Sequence, residues 1–528
     1  MDRCTLSTHP AQTRRCLVVL LTLGSWGAVC AVNAWFFLAI VVPKLSTPSV
    51  LVLSAVQLPW MLIWLWGLHG FLHQVVSAFD PVLSLPVARA CSAKPVAILY
   101  TTCDDFDAYA CRSLLLQDFR HTRLIICDDS TEQSSRDRID EWVRVAGAKV
   151  VIVRRNNRQG FKAGNLNFAL STVVHEDIFV LCDADQVLPP SFVGKAIQVL
   201  EASGVGFVQC GNAARSPGAT WLSEALGPAV DIFYQFALPS RNRYGFVSCF
   251  GHAAIVRRDA WQAAGRFPEV VTEDLAFAMM ALAQGYQGRF SANPSGEESF
   301  PQTYSALKQK YIRIVAGTVE SLRRYGPTLL RSPRASWVEK LDAFLTFSTC
   351  YLPVIILMSV AGGMVFSHLA GGSGYVKVQG WLLALYLVGP QTPILALLKR
   401  AFAEPKRYLR FVVVASVVYS SLVPSLAWTA IRQTFLSPGC SFVPTGAAAK
   451  VPERLLSHAR TIAAGLMLIG FAAVVGSPVL VPTVVFGLMI AIGPLQTLSA
   501  GVTASGSLVR WSVLVPYAVL VSGLLMEW

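Results

Sequence analysis

The chain has 528 residues, of which 54% are hydrophobic and only 14% are charged. A soluble domain carries about 25% charged residues, so this composition excludes an ordinary soluble protein and indicates membrane segments. The net charge of +13 is also typical of nucleic-acid-binding proteins. Here, however, Lys and Arg flank the apolar segments without interleaved aromatic residues, which favours anionic lipid headgroups as partners and argues against nucleic acid.

Two apolar runs without charged residues open the chain, Leu17 to Pro43 and Ser49 to Leu68. Each is long enough to cross a hydrocarbon core of about 30 Å, so residues 1–80 are predicted to form about two transmembrane helices. A secretory signal peptide is the alternative for the first run. Its apolar part would span only about 7 to 15 residues, so we expect a retained anchor.

Residues 81–340 differ in character, because charges return and short β-rich runs alternate with helical stretches. The helical stretches are Asp107 to Gln117, Ser134 to Ala146 and Lys162 to Leu170. This alternation predicts an α/β domain with a parallel sheet. The five predicted strands are the runs PVAILYTTCDD, TRLIICDDS, AKVVIVRRN, IFVLCDADQ and VGFVQCGN.

Residues 341–528 are apolar again and predict about five further spans. The segment Phe411 to Ile431 is flanked on both sides by Lys and Arg. Positive charge marks the cytoplasmic side, so we expect an interfacial or re-entrant helix at 411–431, broken near Pro424. An ordinary spanning helix is the alternative. The charge pattern places the α/β domain in the cytoplasm, inserted between the two groups of membrane helices.

Three predicted strands end in acidic residues. Ligands bind beyond the carboxyl ends of parallel strands, so a rim of six carboxylates there indicates a cationic partner. The alternative for any single Asp is a turn or a helix cap. A D-x-D step can direct two carboxylates to Mg²⁺ or Mn²⁺, whose remaining ligands would be phosphate oxygens. The acids are Asp104 and Asp105, Asp128 and Asp129, and Asp183 and Asp185.

Two further segments complete the candidate site. The run RNNRQGFKAGNLNFAL places Lys162 and Gly164 at a helix start, which indicates a phosphate-facing turn or a capped surface helix. The run VVTEDLAFAMM places Glu273 and Asp274 at the head of an apolar helix. Glu273 fits a capping pair with Thr272. Asp274 is predicted to be the general base that takes the proton of an acceptor hydroxyl.

The series TTCDD, ICDDS, FKAGNLN, LCDADQ and VTEDLA resembles the processive family 2 glycosyltransferases of membranes, such as cellulose synthase and hyaluronan synthase. The resemblance implies a Rossmann-like α/β domain of the GT-A type. It implies that Asp183 and Asp185 bind the metal, Asp183 also contacting the nucleotide, and that Asp274 is the catalytic base. By the same resemblance, the nucleotide is held by Thr102, Asp104, Asp128, Asp129 and Lys162.

The last family motif, Q-x-x-R-W, is altered in this chain. Aligned on Gly317, Lys310 takes the Gln position, Arg313 the Arg position and Ile314 the Trp position. Lys310, Arg313 and Gly317 share a helical face, where Arg313 would meet the nucleotide diphosphate, Lys310, like Glu273, would face the diphosphate or acceptor, and Gly317 would let the ligand approach. A basic surface facing headgroups is the alternative for Lys310. Loss of the Trp weakens the case for polymer extension.

A second family feature, a gating loop, is loosely matched at 437–450, where Phe442, Thr445 and Lys450 follow the predicted interfacial helix. A plain connector is the alternative. The helices after Lys340 would form a channel for the product, with Tyr351 among the candidate lining residues. The other lining candidates are Trp381, Gln391 and Thr392.

These observations predict an inverting hexosyltransferase in the inner (plasma) membrane, with its catalytic domain in the cytoplasm. It would use Mg²⁺ or Mn²⁺ to move a hexose from a nucleotide diphosphate donor, expected to be UDP-linked, to a growing polysaccharide that crosses the membrane. A periplasmic export partner is compatible with this function. One alternative is a non-processive enzyme that glycosylates a lipid carrier, and another is a nucleotide-binding membrane sensor or transporter without turnover.

Overall fold

The computed structural model describes residues 10–79, 94–147, 150–215, 220–370, 403–436, 458–475, 481–500 and 510–526. The gating-loop candidates Phe442, Thr445 and Lys450 lie outside the described residues. The same holds for the lining candidates Trp381, Gln391 and Thr392.

A seven-stranded sheet forms the centre of the α/β domain, in the order β3-β2-β1-β4-β6-β5-β7. All five strands expected from the sequence are present, and β1, β2, β3 and β4 pair in parallel. β6 runs antiparallel to both of its neighbours, so the sheet is mixed. The strands are β1 Val96–Thr102, β2 Thr122–Asp128, β3 Val150–Arg154, β4 Ile178–Cys182, β5 Phe207–Arg215, β6 Ala254–Arg257 and β7 Gly288–Ser299.

Helices cover both faces of this sheet and create two apolar cores, one on each side. Every residue of β1 is buried, which explains why its sequence is a continuous apolar run with no alternation. The helices of the domain are α3 Ala108–Leu115, α4 Gln133–Ala146, α5 Phe161–Thr172, α6 Phe192–Ser203, α7 Trp221–Leu226, α8 Pro228–Ile232, α9 Leu238–Tyr244, α10 Arg258–Ala263 and α11 Glu273–Ala283.

Long apolar helices precede and follow the domain. Among the described residues, four stretches are long and apolar enough to cross a membrane, at Leu17–Lys44, Thr47–Val76, Trp337–Val365 and Pro405–Phe435. The helices outside the sheet domain are α1 Pro10–Phe36, α2 Thr47–Phe79, α12 Tyr304–Arg331, α13 Trp337–Phe347, α14 Leu352–Ala370, α15 Pro405–Phe435, α16 Ala459–Val475, α17 Val481–Ile492 and α18 Val515–Met526.

The segment expected to break near Pro424 is one continuous helix, α15, with Pro424 inside it. The break was a wrong expectation. Proline removes one backbone hydrogen bond, but the face of α15 that carries Val417, Val418 and Leu422 is buried in a shared apolar cluster, which holds the helix together. Its length and composition allow it to cross a membrane, which was the alternative to an interfacial helix.

Helix α12 packs closely against the segment that leads into α11, and a glycine makes this approach possible. A Cβ atom on Gly317 would lie 2.6 Å from Cγ2 and 2.8 Å from Oγ1 of Thr272. One turn later, the Ser321 hydroxyl lies 3.1 Å from the same Thr272 Oγ1. The expectation that Gly317 makes room for a ligand is therefore wrong, because the neighbour it admits is Thr272, directly before Glu273 and Asp274.

Replacing Gly317 by Ala should destabilise the protein by about 1–3 kcal/mol, because the new methyl group overlaps Thr272 in a packed interface. The matched control is Gly194→Ala in α6, where a Cβ atom meets nothing within 4 Å. That control should stabilise the helix slightly, by at most about 1 kcal/mol. Thermal unfolding of the purified proteins measures both changes, and equal midpoints for the two variants would contradict the packing argument.

Candidate active site

The predicted site residues lie at the rim formed by the carboxyl ends of β1, β2 and β4. Thr102, the last residue of β1, is opposite Asp128, the last residue of β2. The Thr102 hydroxyl donates a hydrogen bond to Asp105 Oδ1 at 2.9 Å, and the backbone N–H of Cys103 donates to the same oxygen at 2.8 Å. Burial raises the pKa of Asp105, and the negative charge of Asp183 raises it further. The first and fourth strands thus end in one shared electrostatic environment.

Arg154 at the end of β3 and Arg155 directly after it neutralise the two acids at the end of β2, Asp128 and Asp129. Arg154 Nε lies 2.6 Å from Asp128 Oδ2. Arg155 contacts Asp129 with two nitrogens, at 2.9 and 2.6 Å. Arg155 also donates to the carbonyl oxygen of Phe161 at 2.8 Å, so this ion pair fixes the start of α5. The negative charges of Asp128 and Asp129 are therefore compensated within the protein.

Asp104 takes the turn role that was the alternative for a single strand-end acid. Its carboxylate accepts hydrogen bonds from the N–H and hydroxyl of Thr131, at 2.9 and 2.7 Å, and from the N–H of Glu132 at 2.9 Å. These bonds hold the loop before α4. The positive φ of 64° at Asp104 places the chain in the left-handed region, which Asp tolerates better than most residues.

Lys162 lies at the centre of the acids. Its Nζ is 2.5 Å from Asp183 Oδ1, 2.8 Å from the carbonyl oxygen of Gly251 and 3.6 Å from Glu273 Oε1. Burial works against the charged form, but Asp183 and Glu273 together raise the pKa of Lys162 above its ordinary value. We call Lys162, Asp183, Glu273 and Asp274 the Lys162 cluster. Helix α5 is therefore not a surface helix, since its first turn directs a cation into the rim.

The two acids at the head of α11 carry raised pKa values. Burial raises the pKa of Glu273 to about 7, against the attraction of Lys162. Burial also raises the pKa of Asp274, partly offset by the charge of Lys162. Asp274 accepts one hydrogen bond, from the N–H of Leu275 at 2.8 Å. A buried carboxylate with a raised pKa and few hydrogen bonds is suited to accept a proton from an acceptor hydroxyl.

The capping role expected for Glu273 is wrong. Thr272 precedes α11 without forming a side-chain cap, and its hydroxyl instead contacts Ser321. Glu273 is 5% exposed and faces Lys162. Leaving a buried carboxylate without a charge partner costs more free energy than leaving a helix start without a cap. Glu273 therefore faces Lys162 and belongs to the cluster.

The D-x-D pair carries negative charge that its protein neighbours compensate only in part. Burial, the Asp183 carboxylate and Glu298 raise the pKa of Asp185 to about 6. Asp185 Oδ2 accepts a hydrogen bond from the N–H of Ser299 at 3.0 Å. Burial raises the pKa of Asp183, but Lys162 and Arg313 hold it below the ordinary value. Two oxygen ligands with this excess of negative charge fit Mg²⁺ or Mn²⁺.

The altered Q-x-x-R-W helix also borders the rim. The charge of Arg313 acts on Asp183, and Lys310 Nζ lies 3.7 Å from Glu298 Oε1. Lys310 is thus turned towards the site, away from the headgroup-facing role that was its alternative. Ile314 is 37% exposed.

Sequence reasoning missed His252 and Glu298. His252 Nε2 lies 3.4 Å from Glu298 Oε2, and its Nδ1 lies 3.2 Å from Gln186 Oε1. His252 directly follows Gly251, whose carbonyl accepts from Lys162. Neither residue follows a predicted strand or belongs to a quoted motif, so their proximity to Asp185 depends on β6 and β7 joining the same sheet.

Lys162→Gln tests the central cation of this cluster. Losing one partner of a buried ion pair costs about 3–5 kcal/mol, and less here because Asp183 stays partly open to solvent. The loss of stability should be larger at pH 8 than at pH 5. Glu273 has a raised pKa, so it is protonated at pH 5 and needs no partner there, whereas at pH 8 it is ionised.

Thermal unfolding at the two pH values measures the effect of Lys162→Gln. The exposed Lys195→Gln on α6 is the control and should change little at either pH. An equal loss of stability at both pH values in Lys162→Gln would show that Lys162 does not balance the negative charge of these acids.

Comparison with known proteins agrees with this geometry. Residues 178–399 match the model of the glycosyl transferase family group 2. The chain is 24% identical over 251 residues to glucomannan 4-beta-mannosyltransferase 7 of Arabidopsis thaliana, covering 45% of this chain and 44% of the relative. It is 24% identical over 233 residues to glucomannan 4-beta-mannosyltransferase 1 of Cyamopsis tetragonoloba, covering 42% of this chain and 44% of the relative. The match thus spans less than half the length of these relatives.

Among solved structures, a mannosyltransferase from Pyrobaculum calidifontis in complex with GDP-Man and Mn²⁺ superposes with a TM-score of 0.52 at 15% identity. The superposition covers 73% of this chain and all of that chain. The GT-A fold expected from the sequence is confirmed. Residues 178–399 are thus similar to the glycosyl transferase family group 2, within a GT-A fold that is joined to apolar helices long enough to cross a membrane.

Proposed function

We propose that the protein is an inverting glycosyltransferase that moves a hexose from a nucleotide diphosphate sugar to an acceptor hydroxyl. One observation carries the proposal: Lys162 draws together Asp183 of the D-x-D pair and Glu273 beside Asp274. A donor diphosphate at the D-x-D pair would therefore place its sugar next to the carboxylate of Asp274. Transfer with inversion needs a base on the acceptor side of the sugar, and the cluster supplies one.

In this function the residues divide the chemistry between them. Asp274 takes the proton of the attacking hydroxyl, while Lys162 and Arg313 offer positive charge to the departing diphosphate. Asp183 and Asp185 would hold a divalent cation, which neutralises the diphosphate and stabilises it as a leaving group. The strand-end acids Asp128 and Asp129, already paired with arginines, would contact the nucleoside.

Mannose and glucose are the leading candidates for the hexose. The sequence resemblance implies a UDP-linked donor, whereas the similar plant proteins are named mannosyltransferases and the superposed mannosyltransferase from Pyrobaculum calidifontis holds GDP-Man. Lys310, in place of the motif Gln, pairs with Glu298 beside the D-x-D pair. This substitution gives the diphosphate side of the site a different hydrogen-bonding set from the resembled synthases.

The acceptor is proposed to be a growing polysaccharide that leaves through the helices after Lys340, from a cytoplasmic site to the far side of the plasma membrane. Ile314 offers no aromatic surface for a sugar, but Tyr311 forms an edge-to-face pair with Tyr419 of α15 at 5.4 Å between ring centroids. The Tyr351 hydroxyl lies 3.0 Å from Thr434 Oγ1. These polar aromatic groups between helices support passage of a sugar chain, and an export partner could receive it.

A donor screen tests the proposed function. Purified full-length protein in lipid, given UDP-glucose, UDP-N-acetylglucosamine and GDP-mannose with Mg²⁺ or Mn²⁺, should release nucleoside diphosphate from one of them. Sizing of the labelled product should give a polymer ladder. A single lipid-linked sugar would show that the acceptor is a lipid carrier and not a polysaccharide. If no donor yields nucleoside diphosphate, a nucleotide sensor is favoured.

Asp274→Asn should lower the turnover number by about 10³-fold or more, because removal of the base leaves the acceptor proton without a partner in the transition state. Affinity for the nucleoside diphosphate should change little, since Asp274 stands on the acceptor side. The control is Asp259→Asn, an exposed acid paired with Arg257, which should keep full activity. Turnover within threefold of wild type in Asp274→Asn would remove this residue from catalysis.

The turnover rate should fall as the pH is lowered, and the fall should begin above the ordinary Asp range of about 4, because burial raises the pKa of Asp274 and the base must be ionised to act. Glu273→Gln removes a negative neighbour, so Asp274 ionises more easily and the acid limb should move to lower pH. Steady-state rates measured from pH 4.5 to 8.5, a range of about four units, give the acid limb of the wild type and that of Glu273→Gln. An unshifted limb in Glu273→Gln would argue that the two acids do not interact.

A further inference from the structure

A second buried cluster of ionisable side chains lies away from the acid rim, where helix α2 meets the sheet domain. His69 and His73 of α2 converge on Asp342 of α13, with Nε2 to Oδ1 distances of 2.6 and 3.3 Å. Arg241 of α9 lies 3.3 Å from the same oxygen and donates to Thr346 Oγ1 at 2.7 Å. His69, His73 and Asp342 are each at most 3% exposed. We call His69, His73, Arg241 and Asp342 the Asp342 cluster.

The contacts describe a hydrogen-bonded hub more closely than a metal site. Two histidines four residues apart with one carboxylate have the composition of a metal-binding group. His69 Nε2 and Asp342 Oδ1, however, are at direct hydrogen-bond distance, and Arg241 also faces His69 Nδ1 at 3.5 Å. With neutral histidines the guanidinium balances the carboxylate, so a divalent cation would add uncompensated charge to a buried cluster.

The other oxygen of Asp342 reaches the backbone of the sheet domain. Asp342 Oδ2 accepts a hydrogen bond from the N–H of Phe246. The neighbouring Gly245 has no space for a side chain, because a Cβ atom would lie 2.6 Å from His73 Cε1 and 3.0 Å from Asp342 Oδ2. Helices α2 and α13 therefore hold the backbone at Gly245 and Phe246 in place through the carboxylate of Asp342.

The segment held in this way leads directly into the candidate active site. Six residues after Gly245, the Gly251 carbonyl accepts a hydrogen bond from Lys162 Nζ. A Cβ atom on Gly251 would lie 3.0 Å from Cβ of Asp274, so the backbone here touches the proposed base. His252 follows and faces Glu298. The segment Gly245–His252 thus has one end in the Asp342 cluster and the other against Lys162 and Asp274.

We propose that Asp342 is a positioning residue for sugar transfer. Asp342 is anchored by its contacts with helix α2, and it holds the segment Gly245–His252 in place relative to Lys162 and Asp274. The inference rests on the proposed function. The placement of the active-site backbone then depends on a contact made by a membrane helix, which makes the helical body a part of the catalytic geometry as well as an anchor. A displacement of about 1 Å at such a site is enough to lower the rate about 100-fold.

Asp342→Asn in the full-length protein tests the proposal, because the amide keeps the size of the side chain and loses its charge. Amide hydrogen exchange should rise about tenfold or more at 245–252, with smaller changes in β1 and β2. The turnover number should fall about tenfold or more while affinity for the nucleoside diphosphate stays within about twofold. Glu176→Gln is the control, since it breaks an ion pair with Arg123 at the opposite end of the sheet.

Gly245→Ala is the second variant, because it pushes the segment away from His73 without removing any charge. It should show the same local rise in exchange and the same fall in turnover, and it keeps the test open if Asp342→Asn fails to fold. A loss of turnover explained by a smaller folded fraction, with unchanged exchange at 245–252 in both variants, would overturn the proposal. A fall in nucleotide affinity in proportion to turnover would overturn it as well.

Metal analysis and the exchange readout separate the remaining outcomes. Wild-type protein and His73→Phe, both purified without chelator, should have the same metal content. One zinc ion per chain in the wild type that is missing from His73→Phe would show that the cluster is a metal site and would overturn the hydrogen-bonded hub. If wild-type protein transfers no sugar from any donor, the proposed function fails. Hydrogen exchange at 245–252 then still decides whether Asp342 holds the segment.

Discussion

The site depends on the burial of one cation among several carboxylates. Lys162 contacts Asp183, Glu273 and the Gly251 carbonyl, which come from a strand end, a helix start and a loop. The position of Lys162 keeps acids of like charge close together at tolerable cost and leaves Asp185 available for further positive charge.

The arrangement also explains why the sheet domain and the apolar helices form one functional body. Helix α12 crosses the segment before α11 at Gly317, and α2 holds the segment before His252 through the Asp342 cluster. The segment before Asp274 and the segment that carries the Gly251 carbonyl are thus fixed from the side of the apolar helices. In the proposed function, a sugar joined at this site would lie beside these helices, which links transfer to the proposed export.

Much of the fold could be predicted from sequence because it depends on local patterns. Apolar runs with the length of a membrane or of a buried strand identify the spans and the five strands of the domain, and the acids that end three of those strands indicate the rim. Local patterns failed where a long-range contact decided. Pro424 does not break α15 because packing retains it, and Glu273 does not cap α11 because Lys162, more than 100 residues earlier, supplies a stronger partner.

The sequence by itself determined the fold class and the candidate acids, since the order and spacing of Asp183, Asp185 and Asp274 can be read from the linear chain. Only the tertiary structure decided which groups stand next to them. His252 and Glu298 reach Asp185 because β6 and β7 join the same sheet, and His69 reaches Asp342 across 273 positions of sequence. Burial and charge pairing depend on which distant segments meet in space, and that is a property of the packed chain, which local propensity does not encode.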